Sequence, residues 1–305
     1  MAKNTSLHKA KDVKNDEFYT QLTDVSKELM HYKKHFKGKV VFCNCDDPTW
    51  SAFWKYFHLN FAELGLKKLV STHYDKTEPT YKMVYKGGND NDIEIGEKTP
   101  LEGNGDFRNK ECLDLLDESD IVCTNPPFSL FREYVGTLME HKKKFLIIGN
   151  QNAITYKEIF PLIQNNKVWL GNHSGDMAFT VPADSEPKKT RFWVDETGQK
   201  WRSLGNAMWL TNLDHHKRHE KIILWKNYTS EDYPKYDNYD AINVNKYTEI
   251  PADYNGAMGV PITFLQYYCP EQFDIIKFRK GDDDKDLSID GKCPYFRILI
   301  RKKDV

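Results

Sequence analysis

Apolar positions along the chain set its elements. Leu22, Val25, Leu29 and Tyr32 fall near helical spacing, which predicts a helix over 21–36. Lys39-Val40-Val41-Phe42-Cys43 is a short continuous apolar run, as expected of a strand covered on both faces. Trp50, Phe53, Trp54, Phe57, Phe61 and Leu64 predict a helix over 49–64, and Gly65 supplies its stop. Strands follow at 69–72, 81–85, 120–123 and 145–149, with helices over 111–116 and 130–141. Strand alternating with helix predicts an α/β fold, a doubly wound Rossmann-like sheet of parallel strands. Ligands of such sheets bind at the carboxyl ends of the strands. The polar clusters 45–48 and 125–128, each directly after a strand, are therefore expected to share one crevice.

Past residue 165 the rhythm changes. Short apolar runs at 167–170, 191–194, 208–210 and 222–225 predict strands between long loops, and 228–247 reads as a polar, aromatic surface loop. Order returns at 259–265, then strands at 273–277 and 296–300 flank an acidic turn at 281–286. The expected organisation is a core over 1–165, a recognition region over 166–250 and a return to the core over 251–305. Residues 1–16 read as a flexible polar arm.

Composition narrows the class. Of 305 residues, 39% are hydrophobic and 29% charged, which suits a folded globular chain. Aromatics reach 13%, enough to stack on bases as well as fill a core. The formal net charge of −1 neither supports nor excludes a nucleic-acid partner, since a local basic patch suffices. Basic residues do cluster, at Lys188, Lys189 and Arg191 and at Lys217 and Arg218; each cluster reads as a solvated face or as a phosphate-tracking one. No apolar run approaches the roughly 20 residues of a membrane span. The six cysteines follow no disulfide or zinc spacing, which suggests a reducing cytoplasm and no metal. His215, His216 and His219 read as part of a basic loop rather than a metal site.

Asn125-Pro126-Pro127-Phe128 is the most specific signal. An aromatic amine delocalises its lone pair into the ring and is a poor nucleophile. Two acceptors holding its hydrogens pull the nitrogen toward tetrahedral geometry. Asn125 accepts through its side-chain oxygen and Pro126 through its carbonyl; the two prolines stiffen the loop. Phe128 offers a ring face to a base. Asn-Pro and Pro-Pro also form ordinary turns, and the loop serves any planar amine or amide. The preceding apolar strand and the following helix favour the site reading.

With these residues in view, the chain resembles the EcoRI-type family of adenine-specific DNA methyltransferases. The likeness rests on Asp16-Glu17-Phe18-Tyr19-Thr20, on 41–48 with Ser51, Phe53 and Trp54, on Gly105-Asp106-Phe107, on 125–128 and on 259–265. It implies transfer of a methyl group from S-adenosylmethionine to the N6 amino group of a flipped adenine in double-stranded DNA. It implies a cofactor site at Phe18, Tyr19, Thr20, Cys45, Asp46, Asp47, Ser51, Phe53, Thr72, Asp106, Phe107 and Asn125; it leaves open a cognate restriction endonuclease sharing the site and implies no physical complex with one. From the residues alone, Asp46 and Asp47 read as a helix N-cap pair or as partners of a cofactor ammonium, and Phe18 and Tyr19 as core or as cofactor contacts. The usual glycine-rich cofactor loop is absent, and no acidic residue directly closes the strand at 69–72. Rival readings are methylation of RNA adenine or of a protein glutamine amide, and a non-catalytic nucleic-acid-binding module on the same fold.

Overall fold

A computed structural model describes residues 19–76 and 78–303. The first elements are β1 (Tyr19–Thr20), α1 (Leu22–Leu29), β2 (Val40–Cys43), α2 (Ala52–Leu59), α3 (Phe61–Leu64), β3 (Lys68–His73), β4 (Tyr81–Tyr85) and β5 (Glu97–Pro100). Next come α4 (Lys110–Glu118), β6 (Ile121–Thr124), α5 (Phe131–Glu140), β7 (Lys144–Asn150), α6 (Phe160–Gln164), β8 (Trp169–Thr180), β9 (Phe192–Val194) and β10 (Lys200–Thr211). The chain ends with β11 (Ala241–Asn243), β12 (Ala257–Pro261), β13 (Phe273–Phe278) and β14 (Arg297–Lys302). The expected arm at 1–16, and Phe18, lie outside the described residues.

The described chain divides into two compact units, residues up to 158 with 171–213, and residues 159–170 with 214 onward. The first unit is built on a large mixed sheet in the order β1-β8-β10-β7-β6-β2-β3-β4-β5, with β9 paired to β10. Its centre, β3-β2-β6-β7, is parallel. All four residues of both β2 and β6 are buried, the cause of their unbroken apolar runs. The predicted Rossmann-like α/β sheet is therefore present, extended at both edges by antiparallel strands. Gly65 ends α3 in the left-handed region, as its sequence position predicts.

Helix α1 reaches the sheet through a buried acid that its apolar pattern conceals. Glu28 is fully buried and accepts from the Tyr32 hydroxyl at 2.8 Å, the Asn172 N–H at 2.6 Å, the His173 N–H at 2.9 Å and His173 Nδ1 at 2.7 Å. A buried carboxylate needs such partners, and these fix α1 against β8.

The second unit carries a four-stranded sheet in the order β11-β12-β14-β13, parallel only between β11 and β12. Met258, Val260, Phe264, Phe273 and Ile298–Ile300 are buried there. Two expectations change here. Among the described residues, 251–303 do not rejoin the large sheet; their strands pair with one another and with β11, closing a sheet of their own. Conversely, β8 and β10, placed by sequence in a separate recognition region, are long strands of the large sheet. Their alternation is masked by a solvated stretch in each strand, the middle of β8 at His173–Asp176, between the buried Leu170 and Met177, and the first half of β10 at Lys200–Asn206. The loop expected at 228–247 also contains β11 and the buried Tyr233 and Tyr236. The expected strand at 222–225 forms no ladder.

Candidate active site

Because β2, β3 and β6 are parallel, their carboxyl ends lie along one edge of the sheet. The chain leaves β2 into 44–51 and leaves β6 into 125–128, and Asp46 joins the two loops. Its buried carboxylate accepts from the Ser51 hydroxyl at 2.8 Å through Oδ1. Through Oδ2 it accepts from the Thr124 hydroxyl and, at 3.3 Å, from the Asn125 N–H. Thr124 Oγ1 accepts in turn from the Cys45 N–H at 3.0 Å. Ser51 caps α2, its Oγ accepting from the Phe53 and Trp54 N–H groups at 3.1 and 3.2 Å. Burial raises the Asp46 carboxyl to about 6, against the lowering pull of Thr124, Ser51 and the Asn125 N–H. The Cys43 and Cys45 thiols are pushed well above their ordinary value, first by burial and then by the Asp46 charge.

Asp47 points the other way, toward β3 and β4. Its Oδ1 accepts from the Thr49 N–H and hydroxyl, both at 2.8 Å, and from the Tyr81 hydroxyl at 3.0 Å. Its Oδ2 lies 2.7 Å from His73 Nδ1, with a tenth of the side chain exposed. Beside it the Tyr19 ring meets Trp50 at 4.3 Å between centroids. The buried Thr20 hydroxyl has no hydrogen-bond partner among the described residues.

The 105–107 segment packs against the end of β3. Gly105 has φ +73°, and a Cβ there would come within 2.2 Å of the His73 carbonyl oxygen, so glycine alone fits. Asp106 is paired with Arg108, whose Nε donates to Oδ1 at 2.8 Å. Phe107 is buried edge-on against Tyr134, 4.9 Å away.

The predicted site residues thus divide. Cys45, Asp46, Asp47, Ser51, Thr72, Asp106, Phe107 and Asn125–Phe128 come together at the strand ends. Four of the predicted contacts, Phe53, Thr72, Ser51 and Asp46, already have partners within the protein. Phe53 is fully buried against Trp209 at 5.8 Å. The buried Thr72 hydroxyl donates to the Asn44 carbonyl at 2.8 Å. Ser51, rather than the Asp46-Asp47 pair, is the helix cap, and Asp46 holds the loops instead of facing outward. Sequence reasoning missed Thr124, Trp50, His73 and Arg108; a hydroxyl directly before Asn-Pro-Pro was the available hint for Thr124.

The basic residues divide as well. Lys188 and Lys189 are exposed in the first unit. Arg191 is tied down, donating to Asp176 at 3.0 Å and Ser203 at 3.2 Å. Lys217 and Arg218 belong to the second unit, where the Arg218 guanidinium lies over Trp169 at 3.8 Å and donates to Asn166 at 3.1 Å. His215 is buried against the Leu170 carbonyl at 2.9 Å, and His219 sits between Asp214 and Glu271 at 2.7 and 2.9 Å.

An α/β sheet whose parallel strands end in an acidic-aromatic loop and an Asn-Pro-Pro-Phe loop defines a methyltransferase of the amino-group class. The chain belongs to the family of adenine-specific methyltransferases represented by EcoRI, which matches residues 6–303. It is 53% identical to the type II methyltransferase M.EcoRI of Escherichia coli, across 99% of this chain and 98% of that protein. It is 40% identical to the type II methyltransferase M.MpnI of Mycoplasma pneumoniae, across 97% and 98% of the two chains. No solved structure matches it. No helix among the described residues is long and apolar enough to cross a membrane.

Proposed function

We propose that the protein methylates the N6 amino group of adenine in double-stranded DNA at a specific sequence, with S-adenosylmethionine as donor. The observation that carries this reading is the placement of Asn125, whose N–H is held by the buried Asp46 at the strand ends. Donor chemistry at that edge fits the cofactor. Aromatic faces at Tyr19, Trp50 and Phe107 suit a cation and a purine. Asp47 is a partly exposed carboxylate for an ammonium, and the unpartnered Thr20 hydroxyl is a ready donor for a carboxylate. Tyr19, Thr20, Asp47, Asp106 and Phe107 are the residues assigned to hold it. When bound, S-adenosylmethionine supplies an electrophilic methyl group on a sulfonium.

The remaining chemistry belongs to the chain. Asn125 Oδ1 and the Pro126 carbonyl accept the two amino hydrogens and restore nucleophilic character to the nitrogen. A base within a duplex cannot reach a recessed loop, so the adenine is turned out of the stack onto the Phe128 ring. The half-buried Phe128 packs on the core, which fixes the ring in place. No strong base is required, because the methylated ammonium loses its proton readily to water. A type II specificity, as the relatives are named, implies a recognised sequence and a nuclease sharing it.

The deciding experiment incubates the purified protein with tritiated S-adenosylmethionine and duplex DNA, RNA or protein, then hydrolyses the product for mass spectrometry. N6-methyladenine from duplex DNA is the expected result. Label on cytosine, or in RNA or protein alone, overturns the assignment.

A further inference from the structure

Ile222-Ile223-Leu224-Trp225 has the composition of a buried strand, yet Ile223 is 84% and Trp225 68% exposed. The segment is firmly held. The Gln272 side chain accepts from the Ile222 N–H at 2.7 Å and donates to the Ile222 carbonyl at 2.8 Å. At the other end, the Ala252 N–H donates to the Lys226 carbonyl at 2.8 Å, and the Tyr228 N–H to Asp253 at 2.7 Å. Between these anchors residues 223 and 225, two apart, are turned outward together. Next to them Tyr247 and Tyr267 stack at 4.0 Å with planes 13° apart. Ile223, Trp225 and Tyr267 line a cleft of about 360 Å³, with Lys217 and Lys221 also on its wall. The Lys217 ammonium lies 5.2 Å from the Tyr267 ring.

Charge and shape select the occupant. Of the acids nearby, Glu220 lies 2.9 Å from His216 Nδ1, and Glu249 has two cationic neighbours, Lys226 and Lys246, each at 3.9 Å. Lys221 is exposed and in no ion pair among the described residues. A protein partner covering Trp225 would also have to desolvate these lysines. An anionic polymer bearing flat rings matches both features at once. Bases stacked in a duplex offer only their edges in the grooves, so a ring face needs an unstacked base.

We propose that this cleft stacks an unpaired DNA base against Trp225 and Tyr267 while Lys217 and Lys221 meet its flanking phosphates. The proposal rests on DNA being the substrate.

The test uses the full chain and two probes, a 20-base-pair duplex and the same duplex with a one-base bulge. Trp225→Ala should lose affinity for the bulged probe by about 5- to 100-fold, the range for one base–aromatic stack. Trp225→Phe should keep most of it. Lys217→Ala with Lys221→Ala should flatten the salt dependence by up to ~0.9 per lost phosphate contact. Quenching of wild-type fluorescence by the bulged probe, absent in Trp225→Phe, provides a measurement that survives poor folding of the alanine variant. Equal affinity of Trp225→Ala and wild type for the bulged probe overturns the proposal. So does a loss of self-association in Trp225→Ala with DNA affinity unchanged, which would give this face to a second copy. Methyl transfer by the wild type is scored separately, so failure of the cleft is distinguishable from failure of the DNA assignment.

Discussion

The Asp46 loop and the Ile223–Trp225 surface break the rule of burial in opposite senses. One encloses a carboxylate; the other exposes a large apolar ring. Both departures are unfavourable in isolation, and in both the surrounding chain is unusually well pinned. The difference lies in what is satisfied. At Asp46 every bond is internal: Ser51, Thr124 and the Asn125 N–H complete the carboxylate, so the loops keep one geometry. At Trp225 the segment is anchored on either side, at Ile222 and at Lys226, while the side chain faces solvent. The first arrangement suits a site that must be in place before its substrate arrives; the second suits a surface completed by a partner.

The sharpest way to break this comparison is at Asn125. Asn125→Ala removes one acceptor and leaves the backbone N–H bond to Asp46 intact. Methyl transfer should fall ~100- to 1000-fold, the usual loss for one preorganised polar contact to a transition state. Cofactor affinity, measured by calorimetry without DNA, should stay within about twofold, since this contact is assigned to the base. Near-normal turnover would mean that the rigid loop is only a turn.

Asp46 tests whether the internal satisfaction carries strain. Its carboxyl is raised to about 6 from an ordinary 3.8, chiefly by burial. Between those values the folded chain binds the proton and the unfolded chain releases it. Its contribution to stability is therefore fully present below about pH 4 and is lost as pH rises through about 6. The size is at most about 3 kcal/mol, from 1.36 kcal/mol per unit. Cys43 and Cys45 remain thiols throughout this window because burial pushes them well up. Urea unfolding of the wild type and Asp46→Asn from pH 4.5 to 7.5 should show the wild type losing ground as pH rises. A difference independent of pH would show that the carboxylate is not titrating there.

How far the sequence reveals this molecule depends on which atoms make the bonds. The parallel centre was legible because strands buried on both faces have no polar positions to blur them, as at 40–43 and 121–124. The position of the Asn125–Phe128 loop at a strand end was legible because a fully apolar strand runs directly into it. The roles of Asp46 and Glu28 were not, because a carboxylate looks the same in sequence whether it faces solvent or is closed in by hydroxyls and N–H groups 4 to 145 positions away. The extent of β8 and β10 was hidden for a related reason. A strand with a solvated stretch, in the middle of β8 and in the first half of β10, loses its alternation, so the eye sees a loop. The exposed run at 222–225 misled in the other direction: composition alone says buried, and only Gln272, fifty residues on, decides otherwise.

The smallest effect concerns the exposed basic cluster of the first unit. Lys188, Lys189 and Arg191 have the same charge in sequence, but Arg191 already holds Asp176 and Ser203. A cation so engaged releases no counterion when DNA binds, so only the two lysines are available to phosphate. Replacing both by alanine should flatten the slope of log affinity against log salt by up to ~1.8, at ~0.9 per contact. Arg191→Ala should add little to that slope. It should instead loosen the turn, because the Arg191 side chain packs on Gly205, its guanidinium 2.5 Å from where a Cβ would stand. Titrations of duplex DNA at four salt concentrations separate the two effects. A slope change from Arg191→Ala equal to that from either lysine would show that the ion pair opens on binding. A slope indifferent to all three would remove this cluster from the DNA face and leave the phosphate contacts to residues such as Lys217 and Lys221.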